Sequence, residues 1–143
     1  MKTFRILEKP GTWLFALIIY LMMIFMVSHL SSQQIGQLPI AVWDKLVHFL
    51  EYMPVGLMVT GLLHAKWPNV AWGRTIFGAI VIVAILGGLD EFHQSFVPGR
   101  TVSAGDVVAD TMGATVGALS AAALLKGLRQ RLVSVSASSN LHH

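Results

Sequence analysis

Four apolar runs, each about twenty residues long, alternate with short polar segments along the chain, and about twenty apolar residues is the length a helix needs to cross a bilayer. The runs cover residues 11–30, 45–65, 75–94 and 104–125. The first is bare of charge and rich in Leu, Ile, Met and Phe. Lys2, Arg5 and Lys9 precede it as they would a signal peptide, but its length and the lack of a small-x-small cleavage site predict an uncleaved helix. Short linkers predict that sequential helices pack antiparallel as a bundle. Gly113-x-x-x-Gly117 in the fourth run lets a neighbouring backbone approach closely. The expected architecture is an all-α integral membrane protein, a bundle of four transmembrane helices.

Composition agrees with that pattern. Of 143 residues, 55% are hydrophobic and 12% charged, about half the charge of an average soluble domain. There is no cysteine, which excludes a secreted disulfide scaffold. The high pI of about 9.6 does not point to nucleic acid. Its basic residues sit at the ends of apolar runs and form no patch interleaved with aromatics. Lys2, Arg5, Lys9, Lys66, Arg74, Lys126, Arg129 and Arg131 fall on one side of the predicted bundle, and only Lys45 and Arg100 on the other. The positive-inside rule then places both termini in the cytoplasm and residues 31–43 and 95–103 outside. Residues 1–10 form a cytoplasmic N-terminal segment, 11–126 the membrane domain, and 127–143 a basic, Ser-rich cytoplasmic tail, expected to fray from Ser134 onward. Trp13, Trp43, Trp67 and Trp72 lie near span boundaries and read as an aromatic belt. His29 and His64 fall at helix ends and read as interfacial.

The acidic residues are the departure from a plain membrane bundle. All but Glu8 lie near the outward ends of the second, third and fourth spans, where an ionisable group costs several kcal/mol unless it is paired or wetted. Asp44, His48, Glu51 and Tyr52 share one helical stripe, with Glu51 roughly 10 Å deeper than Asp44 at 1.5 Å per residue. Ion pairing at the helix surface accounts for Lys45 and in part for Asp44. It does not account for Glu51, which has no basic residue within a turn. Pro54 removes a backbone donor and predicts a kink or local widening just below. The third span ends in Asp90-Glu91-Phe92-His93-Gln94, with acids at a helix C-terminus that the macrodipole disfavours. After the Pro98-Gly99 turn, Ser103 and Asp106 have the spacing of a capping box that opens the fourth helix at Ala104. Asp110 lies a turn deeper and has no such explanation. Arg100 either neutralises these carboxylates or holds an anionic group such as a phosphate.

In a bundle these stripes converge on one outward-opening polar pocket. Glu91, His48, His93 and Asp110 are the candidate proton-transfer groups, and Asp44, Glu51, Tyr52, Asp90, Gln94, Arg100 and Asp106 the candidate binding groups. Two histidines among carboxylates are also a donor set for a divalent cation, but no fixed motif such as His-Glu-x-x-His is present and no metal is specifically indicated.

The blocks Ser31-Ser32-Gln33-Gln34, Trp43-Asp44-Lys45-Leu46-Val47-His48-Phe49 with Tyr52, Asp90-Glu91-Phe92-His93-Gln94-Ser95-Phe96-Val97-Pro98-Gly99-Arg100, and Asp106 with Gly113 and Gly117 resemble the VanZ family over roughly residues 28–125. Asp110 stands where the resemblance leads one to expect Asn, and Pro54 where it implies a small or aliphatic residue. The family's founding member is associated with low-level resistance to teicoplanin, a lipidated glycopeptide. The resemblance implies a multi-pass protein of the bacterial cytoplasmic membrane. Its outward pocket would meet membrane lipids and bind or alter a lipid-linked cell-wall component or a lipoglycopeptide. An intramembrane hydrolase or transferase using carboxylate–histidine or metal chemistry is the alternative. A proton-coupled transporter is disfavoured, because the inner halves of the spans carry no ionisable residue until their cytoplasmic ends. No oligomeric state follows from the chain.

Overall fold

The computed structural model describes residues 6–28, 41–100 and 102–140, and the side chains of these except at 41–43, 133 and 135–140. The Ser31–Gln34 block and His29 lie outside the described residues. The described elements are all helical: α1 (Pro10–Ser28), α2 (Ala41–Lys66), α3 (Trp72–Gln94) and α4 (Ala104–Asn140). All four are long and apolar enough to cross a membrane.

Boundaries follow local chemistry. Pro10 opens α1, where its missing N–H leaves no bond unmade. Pro54 lies inside α2, which runs through it. Two turns on, the Thr60 hydroxyl donates to the Gly56 carbonyl at 2.8 Å. Helix α4 corrects the expectation of a frayed tail, for it continues to Asn140. No proline follows Ala104, and the stretch from Ala121 to Leu132 is dominated by the strong helix formers Ala, Leu, Lys, Arg and Gln. The Ser134 hydroxyl donates back to the Arg131 carbonyl at 2.8 Å.

The most extensive helix contact joins α2 to α4, elements that are not neighbours in sequence. A side chain on Gly113 would run into the Phe49 carbonyl, and one on Gly117 into that of Met53. Contacts advance together along both helices, so the two run parallel at backbone distance, where only hydrogen fits. The close-approach motif thus engages the helix two spans back. Helix α3 lies antiparallel to α4, and α1 rests mainly on α2.

Burial on α1 is confined to a stripe of Trp13, Leu17, Ile24 and Ser28. The core joins Leu17 and Ile24 to Tyr52, Val55 and Val59 of α2, Ala79 and Val83 of α3, and Ala114 and Ala118 of α4. Phe15, Met22 and Met26 of α1, Phe77, Ile85 and Leu89 of α3, and Val108, Met112 and Leu119 of α4 stay exposed. So much apolar surface around the bundle needs a lipid solvent. The chain is a multi-pass membrane protein. Trp13 departs from the expected belt: it is buried against Gly61, and its indole donates to the Leu7 carbonyl at 2.8 Å.

Candidate functional site

At one end of the bundle, the parallel run of α2 beside α4 stacks an ion pair and a histidine–carboxylate hydrogen bond a turn apart. Lys45 Nζ donates to Asp106 Oδ1 at 2.8 Å, and His48 Nδ1 shares a hydrogen bond of 3.0 Å with Asp110 Oδ1. These are deep groups: His48 is 4% exposed, Asp106 1% and Asp110 0%. Helices paired in parallel keep i and i+3 or i+4 positions of both on one seam, so Lys45 and His48 meet Asp106 and Asp110 in register. With the carboxylate as acceptor, the shared proton sits on His48 Nδ1. That leaves Nε2 as the ring's lone pair when the imidazole is neutral.

Helix α3 closes the seam from the other side. The buried Glu91 carboxylate accepts the backbone N–H of Ser103 through Oε2 at 2.7 Å. The Ser103 hydroxyl accepts from the Gly105 N–H at 3.2 Å and from Lys45 at 3.3 Å. The cap on α4 is therefore divided between helices. Ser103 acts as the spacing predicts, but Glu91 rather than Asp106 takes the Ser103 N–H, because Lys45 draws the Asp106 carboxylate sideways.

A second polar group ties α3 to α1. Asp90 Oδ2 accepts from the Ser28 hydroxyl at 3.0 Å and from the Gln94 amide at 2.9 Å. Asp90 also lies within electrostatic reach of Glu51, Tyr52 and Asp110, so both groups belong to one polar layer. His93 turns towards α1, its ring 4.5 Å from that of Phe25. Tyr52 is buried beneath, as part of the hydrophobic core. Glu51 is half-buried and within electrostatic reach of Arg100, which follows the left-handed Gly99 (φ 83°) in the α3–α4 turn.

The structure thus joins His48, Glu91, Asp106 and Asp110, with Asp44 at the rim and Lys45 as counter-ion. It places Asp90 and Gln94 beside them with Ser28, and His93 on the α1 side. Sequence reasoning passed over Ser28 and gave Lys45 only a surface pairing. A hydroxyl closing a charge-free apolar span, one helical turn beyond Ile24, is the signal the sequence offers for Ser28.

Two buried oxygens in this layer have no hydrogen-bond partner: Asp110 Oδ2 and Glu91 Oε1. Unpaired buried carboxylate oxygens are costly, and such groups are kept where a ligand or a proton engages them. One donor atom each from Asp44, His48 and Asp106 also lie within 4.8 Å of one another, a spacing one divalent cation spans. Here the Lys45 ammonium already supplies a positive charge to Asp106. Chemically, the layer offers a carboxylate-oriented imidazole, spare carboxylate acceptors and flanking cations.

Among known proteins, a family model described as VanZ/LLP1 matches residues 12–126, a stretch that includes α2 and α3, most of α1, the first part of α4 and every residue of the polar layer. No curated protein and no solved structure matches the chain.

Proposed function

The chain belongs to the VanZ/LLP1 family, and from that premise we propose that its polar layer binds, or chemically alters, the polar part of a lipid-linked envelope molecule or a lipoglycopeptide. The protein sits in the bacterial cytoplasmic membrane with both termini in the cytoplasm, so the layer faces the outer leaflet. Reduced susceptibility to teicoplanin is the phenotype this reading leads to. The observation that carries it is the buried His48–Asp110 pair whose second carboxylate oxygen is left without a partner. A scaffold has no use for that arrangement, whereas a ligand donating a hydroxyl or amide proton completes it.

A second reading is favoured by the same dyad. An imidazole oriented by a carboxylate is a general base, with Asp110 positioning His48 and Glu91 as a nearby acid. In that reading the protein is an intramembrane hydrolase or transferase, and Arg100 and Lys45 balance an anionic substrate. His93 would serve as an additional proton carrier on the α1 side.

The test is teicoplanin and vancomycin susceptibility in a sensitive Gram-positive host that expresses wild type, Glu91→Gln or Asp110→Asn at matched membrane levels. Protection selective for teicoplanin, lost in both variants, supports the reading. Absence of protection from every version, with expression verified, removes the phenotype from it.

A further inference from the structure

At the end of the bundle opposite the polar layer lies a cavity of about 740 Å³, unused by the function proposed above and independent of it. That volume is typical of sites for small organic ligands. Its walls come from all four helical regions: Leu7 before α1, His64 near the end of α2, Trp72 at the start of α3, and Leu125, Lys126 and Arg129 of α4. The apolar part is formed by Leu7, Trp72 and Leu125. The Trp72 ring is stacked on His64 at 4.0 Å and has Lys126 Nζ 5.3 Å above its centre.

The charges on this wall are unbalanced. Among the described residues lining the cavity, Glu8 is the one carboxylate, against Lys126 and Arg129. The ion pairs Lys45–Asp106 and His48–Asp110 lie at the other end of the bundle and involve neither of these cations. His64 Nδ1 is buried without a hydrogen-bond partner. Lys66 and Arg74 on the flanking helix ends add further positive charge. Cations at a helix-bundle end serve topology by themselves. A half-open cavity whose lining combines apolar side chains with a Lys–Arg pair outnumbering its one carboxylate serves a ligand that is anionic at one end and greasy at the other.

We propose that this cavity is a binding site for one anionic phospholipid of the adjacent leaflet. The phosphate lies between Lys126 and Arg129, and the upper acyl chain lies along Leu7, Trp72 and Leu125. The guanidinium offers paired donors to phosphate oxygens and the ammonium a point charge, the complementary way these two side chains hold phosphates. The unpartnered His64 nitrogen meets a headgroup hydroxyl. Pockets with this basic and apolar mixture between helix ends are a common form of lipid headgroup recognition.

The test uses the full chain, purified in mild detergent and given an equal mixture of phosphatidylglycerol and phosphatidylcholine, with retained lipid read by native mass spectrometry. One retained phosphatidylglycerol per chain is expected, favoured over phosphatidylcholine. The double variant Lys126→Gln/Arg129→Gln should weaken retention about twenty-five-fold, from roughly fivefold for each basic side chain near a lipid surface. Gln130→Trp, which fills the cavity and keeps both cations, should also lose the lipid, while circular dichroism shows unchanged helix content. Equal retention of the two lipids, or full retention by either variant, overturns the proposal. Displacement of the lipid by excess soluble glycerol phosphate overturns it in favour of a free phosphate ester.

Discussion

Gly87 of α3 leaves the space that the Asp110 carboxylate of α4 occupies: a Cβ on Gly87 would stand 2.6 Å from Asp110 Oδ2. The adjacent Gly88 has nothing within 4 Å of its missing Cβ. Two consecutive glycines in one helix thus have opposite meanings. Gly87→Ala should displace the carboxylate from His48, abolish function and destabilise the bundle by about 1–3 kcal/mol, the usual range for overpacking. Gly88→Ala should be neutral or gain up to about 1 kcal/mol from helix propensity. Unfolding titrations in detergent of both variants measure this. Equal loss from both substitutions would show that the fit between Gly87 and Asp110 is not what matters.

The His48–Asp110 bond should behave as a coupled unit. Asp110→Leu strands a buried imidazole and should cost about 1–3 kcal/mol. Asp110→Asn keeps an acceptor for His48 Nδ1 and should fold nearly as well as the parent, while losing the carboxylate needed for function. A double-mutant cycle with His48→Leu should recover part of the stability lost in Asp110→Leu. Additive losses would mean the bond contributes nothing to the fold.

At the α2–α4 seam, Gly113→Val and Gly117→Leu drive side chains into the carbonyls of Phe49 and Met53. Both should separate the helices, pulling Lys45 and His48 from Asp106 and Asp110, and both should lower the detergent unfolding midpoint. Gly127→Ala is the control, since nothing lies within 4 Å of that position. Like Gly88→Ala, it should be neutral or gain up to about 1 kcal/mol from helix propensity, and its midpoint should not fall.

Sidedness can be measured directly because the chain has no cysteine. In intact cells, a membrane-impermeant maleimide should label Ser95→Cys, which is exposed near the polar layer. Asn69→Cys, exposed at the opposite end, should label only after lysis. The reverse pattern would put the polar layer in the cytoplasm and end its assignment to the outer leaflet.

The four spans were readable because apolar length is a one-dimensional property, and the proline, glycine and serine signals place the element ends to within a few residues. Asp44, His48, Glu91, Asp106 and Asp110 stood out for a similar reason, since charge inside a span is expensive wherever it lies. Pairing is a different matter. A stripe on one helix does not say which neighbour it faces, and linker lengths pointed to sequential contacts rather than to the parallel α2–α4 seam. Asp106 shows the effect on a single residue: three positions after Ser103 it reads as a cap partner, yet Lys45, 61 residues earlier, takes its carboxylate. The Ser-rich tail departs from its expected fraying for a local reason. Serines weaken a helix only slightly when their hydroxyls bond back to the preceding turn, as Ser134 does.

The parallel seam also has a consequence in time. His48 precedes its partner Asp110 by 62 residues, and a nascent chain is made and inserted from its N-terminus. Helix α2 therefore enters the membrane with its imidazole and acids before any of their counterparts on α4 have been synthesised. Until α4 arrives, those groups rely on water or on the insertion machinery. The fourth span to leave the ribosome is the one that brings the site into being, so a chain truncated before Asp110 would carry three membrane helices and unsheltered charge.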